Sequence, residues 1–185
     1  MAVVSIKLLI GLTWMLVGSA FADDMLVDQF DSAPESRWSY VSDQVMGGVS
    51  QGNAVYLQEG SESIARLAGS VSTDNNGGFI QIRREVAKGS VDDAAGIYLK
   101  VRGNSQAYYI HLRTAGTMLP WQYYQAEFEV AADWQVIRIP LSDFQPSSFW
   151  LSAAVNASSI RSVGIVAYGR DHEAEVNVAE VGFYQ

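Results

Sequence analysis

The sequence predicts an all-β fold, a sandwich or barrel of about nine or ten short strands, and three observations lead to this prediction. Beyond residue 22 no segment keeps a helical periodicity, whereas several segments alternate apolar and polar residues with a period of two. Turn residues such as Gly, Asn and Asp separate these segments. The chain contains no internal repeat, linker or low-complexity stretch, so we expect residues 23–185 to form a single domain.

The first 22 residues have the pattern of a signal peptide. Lys7 supplies a short positive region, residues 8–19 are apolar, and Ala-Phe-Ala at residues 20–22 is a small-x-small cleavage site. The apolar run is short for a membrane span, although a retained anchor is the alternative. We therefore predict cleavage before Asp23, a periplasmic or secreted protein, and no stable membrane insertion after the signal is removed.

Composition excludes several classes of function. The formal net charge is −8, and removing Lys7 with the signal would take it to −9. Such an acidic surface has no electrostatic footprint for nucleic acid or for anionic lipid. The chain has no cysteine, which excludes disulfides, thiolate metal ligands and a thiol nucleophile. We expect no nucleic-acid partner, no cofactor and no metal.

Short apolar segments between polar turns predict the strands of the first half. The earliest segments are residues 25–30, 38–41, 54–57, 63–67 and 78–83. The middle of the chain alternates more strictly, which is typical of antiparallel strands with one face on a core and one face free for solvent or a ligand. These alternating segments are residues 96–102, 107–113 and 122–130.

Three further strands are predicted towards the C-terminus. Residues 134–139 end at a proline, which cannot donate to a strand ladder. Residues 162–168 are nearly all apolar, as in a central strand buried on both faces. Within residues 175–184 the apolar positions change from even to odd, and a bulge near Ala179 and Glu180 would explain that change.

Two glycine-containing corners are the most distinctive local features. In residues 38–52, Asp43 can accept hydrogen bonds from nearby backbone amides, and a Gly-Gly pair permits positive φ. Residues 72–79 form a second such corner, against which the first is expected to pack. The glycines to which we assign structural roles are Gly47, Gly48, Gly77 and Gly78.

A basic and aromatic sheet face is the main candidate for binding. If Ile80 and Ile82 point into the core, Arg83 points away from it, and by the same alternation Arg102 and Arg113 point away from the core on their strands. We expect the three arginines to share one sheet surface. Guanidinium groups beside aromatic rings suit sugars and protein interfaces, and an ordinary solvated face is the alternative. The candidate contact residues, taken from this face and from the two corners, are Trp38, Asp43, Asn75, Asn76, Arg83, Arg102, Tyr109, Arg113 and Tyr123.

Catalytic and metal sites are less well supported. Residues 48–52 match Gly-x-Ser-x-Gly, and Asp171 and His172 follow in hydrolase order. A nucleophile elbow needs an apolar strand before it and a helix after it, whereas here a glycine pair precedes Ser50 and a strand-like segment follows it, so a turn serine is favoured. The only other histidine is His111, and two such separated histidines do not indicate a zinc site. We predict no catalytic residue and no metal ligand.

Several motifs together resemble a known family. The most specific are VSDQVMGGVS at residues 41–50 and NNGGF at residues 75–79, and weaker matches follow in the same order. These weaker matches cover residues 99–103, 111–114, 124–128, 134–144 and 160–164. The sequence resembles the NADH:ubiquinone oxidoreductase intermediate-associated protein 30 family. This resemblance implies a galactose-binding-like jelly-roll β-sandwich and, from the mitochondrial members, a non-catalytic chaperone role in assembly of respiratory complex I.

These observations predict an exported, non-enzymatic module that binds another macromolecule. A protein partner is the first hypothesis, because the resemblance implies an assembly role. The alternative is a carbohydrate-binding module that uses the arginine and aromatic face to hold a polysaccharide. A hydrolase that uses Ser50 is the least favoured hypothesis.

Overall fold

The computed structural model describes residues 25–185, so the signal peptide predicted for residues 1–22 lies outside the described residues. The strands are β1 (Met25–Asp28), β2 (Trp38–Ser42), β3 (Gln51–Glu59), β4 (Glu62–Val71), β5 (Phe79–Glu85), β6 (Gly96–Gly103), β7 (Ala107–Thr114), β8 (Tyr124–Glu129), β9 (Gln135–Pro140), β10 (Gln145–Pro146), β11 (Ile160–Tyr168) and β12 (His172–Tyr184). Short 3-10 turns lie at Pro34–Ser36, Asp43–Met46, Asp74–Asn76, Leu141–Asp143 and Ala157–Ser159.

The strands form two antiparallel sheets that pack face to face. The first sheet has the order β3-β4-β12-β6-β9, with β1 also pairing to β12. The second sheet has the order β10-β8-β7-β11-β5-β2. The buried apolar side chains of both sheets meet in one cluster between them. This is a jelly-roll β-sandwich, as the sequence predicted.

Alternation along the strands explains which side chains form the core. In β7, Tyr108, Ile110 and Leu112 are fully buried, whereas Tyr109 and His111 lie on the opposite face. The nearly all-apolar segment 162–168 is confirmed as a central strand, since it forms β11 between β7 and β5. The surface buried in this way supplies the main stabilising term of the fold.

The predicted change of phase near the C-terminus is also confirmed. The pairing of β12 with β6 shifts register between Val178 and Glu180, so one residue of β12 is left over there. Val176, Val178, Val181 and Phe183 are all fully buried despite their different parity. The bulge therefore lets one long strand keep a continuous apolar face.

One strand was missed by the sequence analysis. The two residues of β10 pair with β8 at the edge of the second sheet, in a stretch predicted to be loop. A pairing this short has no alternation that a sequence pattern could reveal. Between Met25 and Gln185, no helix is long and apolar enough to cross a membrane.

Candidate binding cleft on the second sheet

A cleft of about 610 Å³ lies on the face of the second sheet that points away from the core. At its floor Gly164 of β11 lies between Arg83 of β5 and His111 of β7 in the strand register. Because Gly164 has no side chain, the floor stays open at this point, and an added Cβ would lie 3.0 Å from the side-chain oxygen of Gln81. The side chains that line the cleft come from residues Val41, Val45, Met46, Asn76, Phe79, Gln81, Arg83, His111, Arg113, Pro120, Trp121, Tyr123, Ser162 and Tyr168.

Three aromatic side chains form a packed group within this lining. His111 stacks on Tyr123 with ring centroids 4.0 Å apart and ring planes 10° apart. Tyr168 meets both rings edge-on, at 5.4 Å from His111 and 6.4 Å from Tyr123. The hydroxyl of Tyr123 donates a hydrogen bond of 3.2 Å to the hydroxyl of Tyr168. These contacts hold the three rings in fixed positions, so this part of the cleft is preorganised.

Burial keeps His111 and Tyr123 of this group uncharged at neutral pH. It lowers the pKa of His111 to about 3, so the imidazole is neutral. It also raises the pKa of Tyr123 well above the usual value. Within the described residues, the Nε2 atom of His111 is buried and has no hydrogen-bond partner. The cleft therefore offers a ligand a neutral aromatic surface here and not a cation.

Exposed apolar side chains stand on two walls of the cleft. On one wall, Val45 and Met46 of the turn Asp43–Met46 are 76% and 63% exposed. On the other, Trp121 of the β7–β8 connection is 63% exposed, and Met118 of the same connection is 81% exposed. Large apolar side chains left in solvent on loops beside a cleft are typical of a surface that binds a partner.

The first wall is held in place by the two glycine corners, which pack against each other as expected. The carboxylate of Asp43 accepts hydrogen bonds from the amide and hydroxyl of Ser50 and from the amides of Gly78 and Phe79. Burial alone would raise the pKa of Asp43, but these hydrogen bonds lower it below its usual value. Asp43 thus ties the turn that carries Met46 to the start of β5.

The backbone around the four glycines fits the structural role predicted for them. Gly47 has φ of 92°, where an L side chain is strained. A Cβ added at Gly48 or at Gly77 would overlap the side chain of Asp43. Gly78 also has a positive φ, of 123°. The corners can therefore close around the carboxylate only because these positions lack side chains.

The second wall is held by polar side chains. Arg113 donates hydrogen bonds from Nη2 to the carbonyl oxygens of Thr117 and Leu119, at 3.2 and 3.0 Å. The hydroxyl of Ser147 donates to the carbonyl oxygen of Trp121 at 2.9 Å and accepts from the amide of Tyr123 at 3.0 Å. The exposed Trp121 side chain therefore projects from a fixed backbone.

The prediction that Arg83, Arg102 and Arg113 share one surface is wrong for Arg102. Arg102 lies on β6, in the first sheet, and donates from Nη2 to both carboxylate oxygens of Glu59 at 2.7 Å. Its guanidinium also lies 4.6 Å from the centre of the Trp134 ring. Alternation shows on which side of its own strand a residue lies, but it does not show which sheet the strand joins. Arg83 and Arg113 do lie on one face and line the cleft together.

Two other candidate contact residues are buried and hold the fold. Trp38 is 3% exposed, and its Nε1 donates a hydrogen bond of 2.9 Å to Asp28. Asp43 is fully buried, and its oxygens are occupied by Ser50, Gly78 and Phe79. As contact residues both were wrong predictions, because an indole N–H and a carboxylate can be buried once hydrogen bonds satisfy them. Asp43 instead accepts hydrogen bonds from backbone amides, the role that the sequence of its turn favoured.

The remaining candidates lie at or beside the cleft. Asn76 and Tyr123 line it, whereas Asn75 is exposed and donates from Nδ2 to the carbonyl oxygen of Gly47 at 3.3 Å. Tyr109 lies further along the same face, where its ring meets Tyr168 edge-on at 5.7 Å. Its hydroxyl donates to Glu127, and this hydrogen bond raises the pKa of Tyr109 to about 12.

The hydrolase pattern does not assemble into a catalytic site. Ser50 is fully buried and its hydroxyl bonds to Asp43 and to the backbone of Ser72. Among the residues described, neither histidine hydrogen-bonds to Ser50, and His172 instead contacts the carbonyl oxygen of Arg170. Residues 25–185 also contain no group of three or more His, Asp or Glu side chains placed to hold a metal ion.

Several cleft residues were not proposed from the sequence. Gly164 and Tyr168 lie on a strand that looks uniformly apolar, so their position on the outer face is not visible in the pattern. Val45, Met46 and Trp121 lie in connections, where periodicity gives no information about exposure. The usable signal was the presence of large apolar side chains beside turn residues.

Comparison with known families identifies one match. A family model described as Complex I intermediate-associated protein 30 matches residues 28–178, which is most of the chain. No curated protein matches the chain.

Comparison with solved structures shows the same sandwich in carbohydrate-binding modules of Clostridium thermocellum. The family 11 module of the cellulosomal cellulase Lic26A-Cel5E has a TM-score of 0.72 at 12% identity, over 88% of this chain and 95% of that one. The family 11 module in complex with a β-1,3-1,4-mixed-linked tetrasaccharide has a TM-score of 0.71 at 14% identity, over 90% and 97%. The family 30 module of the cellulase CEL9D-CEL44B has a TM-score of 0.53 at 11% identity, over 75% and 91%. At these identities the likeness shows the fold alone.

Proposed function

The chain belongs to the complex I intermediate-associated protein 30 family, as its motifs predicted, and from this premise we propose that it is a non-catalytic module whose cleft binds an extended segment of a protein partner. The family and the sandwich fold are both types of non-catalytic module, which is consistent with a binding role. The observation that carries the proposal is the pair of apolar walls around the cleft, from Val45 and Met46 on one side and Trp121 on the other.

The chemistry of the walls favours a protein segment over a sugar chain. Val and Met side chains gain free energy by covering apolar surface, which a peptide's side chains supply and the hydroxyl-rich edges of a sugar do not. Sugars are held mainly by open aromatic faces, and one face of Tyr123 is already covered by His111. A cleft of about 610 Å³ is large enough for several residues of an extended segment.

A polysaccharide is the second candidate, and one feature favours it. The exposed ring of Trp121 and the polar groups of Gln81 and Arg83 line the same cleft, and an aromatic ring in a site with hydrogen-bond donors can hold a sugar unit. One structural neighbour is a module in complex with a mixed-linked tetrasaccharide. We rank this candidate second because Val45 and Met46 would have no role in it.

The proposal places the protein outside the cytoplasm, because of the signal pattern in residues 1–22. Expression with its own leader, followed by N-terminal sequencing of the exported material, should give a first residue of Asp23. An intact Met1 on membrane-bound material would contradict export by cleavage.

The partner class is tested by two selections on the same purified protein. A displayed library of short random peptides and an array of polysaccharides are offered to the wild type, to Met46→Ala with Trp121→Ala, and to Val136→Ala. Val136 is the matched control, since it is 63% exposed on β9 of the first sheet. We expect peptides to be enriched on the wild type and on Val136→Ala, and to bind the double variant about ten-fold or more weakly.

Two outcomes would overturn the proposal. If polysaccharides bind and no peptide is enriched, the module is a carbohydrate-binding one. If peptides bind but the double variant binds them as tightly as the wild type, the cleft is not the binding site. The double variant must keep the wild-type circular dichroism spectrum for either result to count.

A further inference from the structure

A second cavity, of about 170 Å³, adjoins the cleft and has a different chemistry. It shares Arg83, Arg113 and Ser162 with the cleft. Its walls are completed by Glu85, Thr114, Thr117 and Arg161. We propose that this cavity is an anion subsite that takes a carboxylate group of the bound segment, an inference that rests on the function proposed above.

The strand register explains how three arginines come together. Gly164 of β11 lies opposite Arg83, and Ser162 of the same strand lies opposite Arg113, so the two arginines flank β11 on successive rows of one face. The pairing of β11 with β7 shifts register between Ile160 and Ser162, which leaves Arg161 as the extra residue at the end of the strand. All three guanidinium-bearing residues line the same cavity.

Within residues 25–185, no carboxylate forms an ion pair with the arginines of this cavity. Among the residues that the structure describes, Arg83, Arg113 and Arg161 form no ion pair, whereas Arg37, Arg66, Arg84, Lys100 and Arg102 each have a carboxylate partner. One acidic residue, Glu85, lines the cavity, but it is exposed and lies beyond ion-pair distance of the three arginines. Like charges held together in an otherwise acidic protein favour an anion between them.

The cavity is also lined by a serine hydroxyl. Ser162 is 3% exposed as a residue and lines both the cavity and the cleft, and within residues 25–185 no hydrogen bond involves its hydroxyl. The hydroxyl of Thr117, by contrast, is used in the turn that it forms with Thr114. A hydroxyl donor beside guanidinium groups suits a carboxylate, whose two oxygens can accept from both kinds of donor.

The arrangement gives the cleft two chemically distinct ends. The turn that carries Met46 lies beside Phe79 at the start of β5. The arginine cavity lies towards the other end of β5, beside the β7–β8 connection that carries Trp121. A segment that fits both ends has an acidic residue close to large apolar residues. This is a property of the ligand that the apolar walls alone would not require.

The experiment uses the peptides enriched on the wild-type protein, each compared with an analogue in which its acidic residue is changed to the amide (Glu→Gln or Asp→Asn). Fluorescence anisotropy measures both peptides on the wild type, Arg83→Gln, Arg161→Gln and Arg102→Gln. Arg102 is the matched control, since it is an arginine on the exposed face of the first sheet. We expect an acidic residue in most enriched peptides, and the amide analogue to bind the wild type about ten-fold more weakly.

The variants separate this inference from the function on which it rests. On Arg83→Gln the acidic peptide and its amide analogue should bind almost equally, and Arg102→Gln should keep the wild-type preference. The anion subsite is contradicted if the enriched peptides lack acidic residues. It is also contradicted if both Arg83→Gln and Arg161→Gln keep the wild-type preference for the acidic peptide over its amide analogue. Neither result contradicts the proposed function. If no peptide is enriched, the proposed function and the anion subsite are both contradicted. If the protein then binds uronic-acid polysaccharides and Arg83→Gln abolishes that binding, the cavity holds a sugar ligand. Unfolding of both arginine variants would show that the arginines are structural.

Discussion

The exposed faces of the two sheets carry similar residues and use them differently. On the first sheet, Lys100 and Arg102 pair with Glu62 and Glu59, and Arg102 also lies over the ring of Trp134. On the second sheet, Arg83 and Arg113 have no carboxylate partner among the described residues and face an open cleft instead. The first face satisfies its own charges, and the second leaves them available to a ligand.

The difference arises at the strand ends and in the connections that follow them. Glu59 at the end of β3 and Glu62 at the start of β4 bind the cations of the first sheet. The connections that border the second sheet bring Met46 and Trp121, which are apolar and exposed. Two faces with the same alternation can therefore be structural in one case and ready to bind in the other. Four predictions test this contrast, in order of the expected effect.

The largest effect should come from Asp43, which supports one wall of the cleft. Asp43→Ala removes the acceptor for three backbone amides and one hydroxyl, and it should lower the free energy of unfolding by about 3 kcal/mol or more. Denaturant titration measures the loss. Glu59→Ala on the first sheet is the comparison, and a loss there of more than half that of Asp43→Ala would contradict the contrast.

His111 should make the second sheet sensitive to acid. Its pKa is near 6.5 in the unfolded chain and about 3 in the folded protein, so the unfolded state binds more protons between these values. The free energy of unfolding should therefore fall as pH is lowered below 6.5, with a slope that approaches about 1.4 kcal/mol per pH unit. His111→Phe should lose that component of the slope when unfolding is measured across the same range. An identical pH dependence in wild type and variant would show that the imidazole is not buried.

Arg83 should matter for binding and little for stability. Arg83→Ala is expected to lower the affinity for an enriched peptide about ten-fold, equivalent to about 1.4 kcal/mol of binding free energy, because a charge-assisted contact is lost. The melting temperature should stay close to that of the wild type, since no described carboxylate depends on this arginine. Arg83 is a cleaner probe than Arg113, which also holds the β7–β8 connection. An unchanged peptide affinity would show that Arg83 is not part of the binding site.

Arg102 should show the opposite pattern and the smallest effect. Arg102→Ala loses a partly exposed ion pair and a cation–π contact, which together are expected to stabilise the fold by about 1 kcal/mol or less. Peptide affinity should not change. A drop in affinity would mean that the first sheet also contacts the ligand.

Much of the fold could be predicted from the sequence, since it depends on local patterns. Alternation identified the buried face of β7, and the change of phase near Ala179 identified the bulge in β12. The Gly-Gly pair at residues 47–48 identified a turn that needs positive φ. Each of these features is set by residues that are neighbours in the chain.

The candidate site was only partly predictable, because it depends on distant residues. The sheet to which β6 belongs is decided by long-range pairing with β12, and this placed Arg102 away from Arg83. The burial of Asp43 depends on the amides of Gly78 and Phe79, more than thirty residues away in sequence. The exposure of Trp121 depends on how its connection is held to Ser147. No local pattern contains this information.

The most direct test is to map the contact surface of an enriched peptide by NMR. The amide signals of the purified protein are followed as the peptide is titrated. We expect the largest shifts at Gly77, His111 and Gly164, on and beside the second sheet, and none at Arg102 or Val136 of the first. Shifts centred on the first sheet, with the signals of His111 and Gly164 unchanged, would contradict the assignment of the binding site to the cleft.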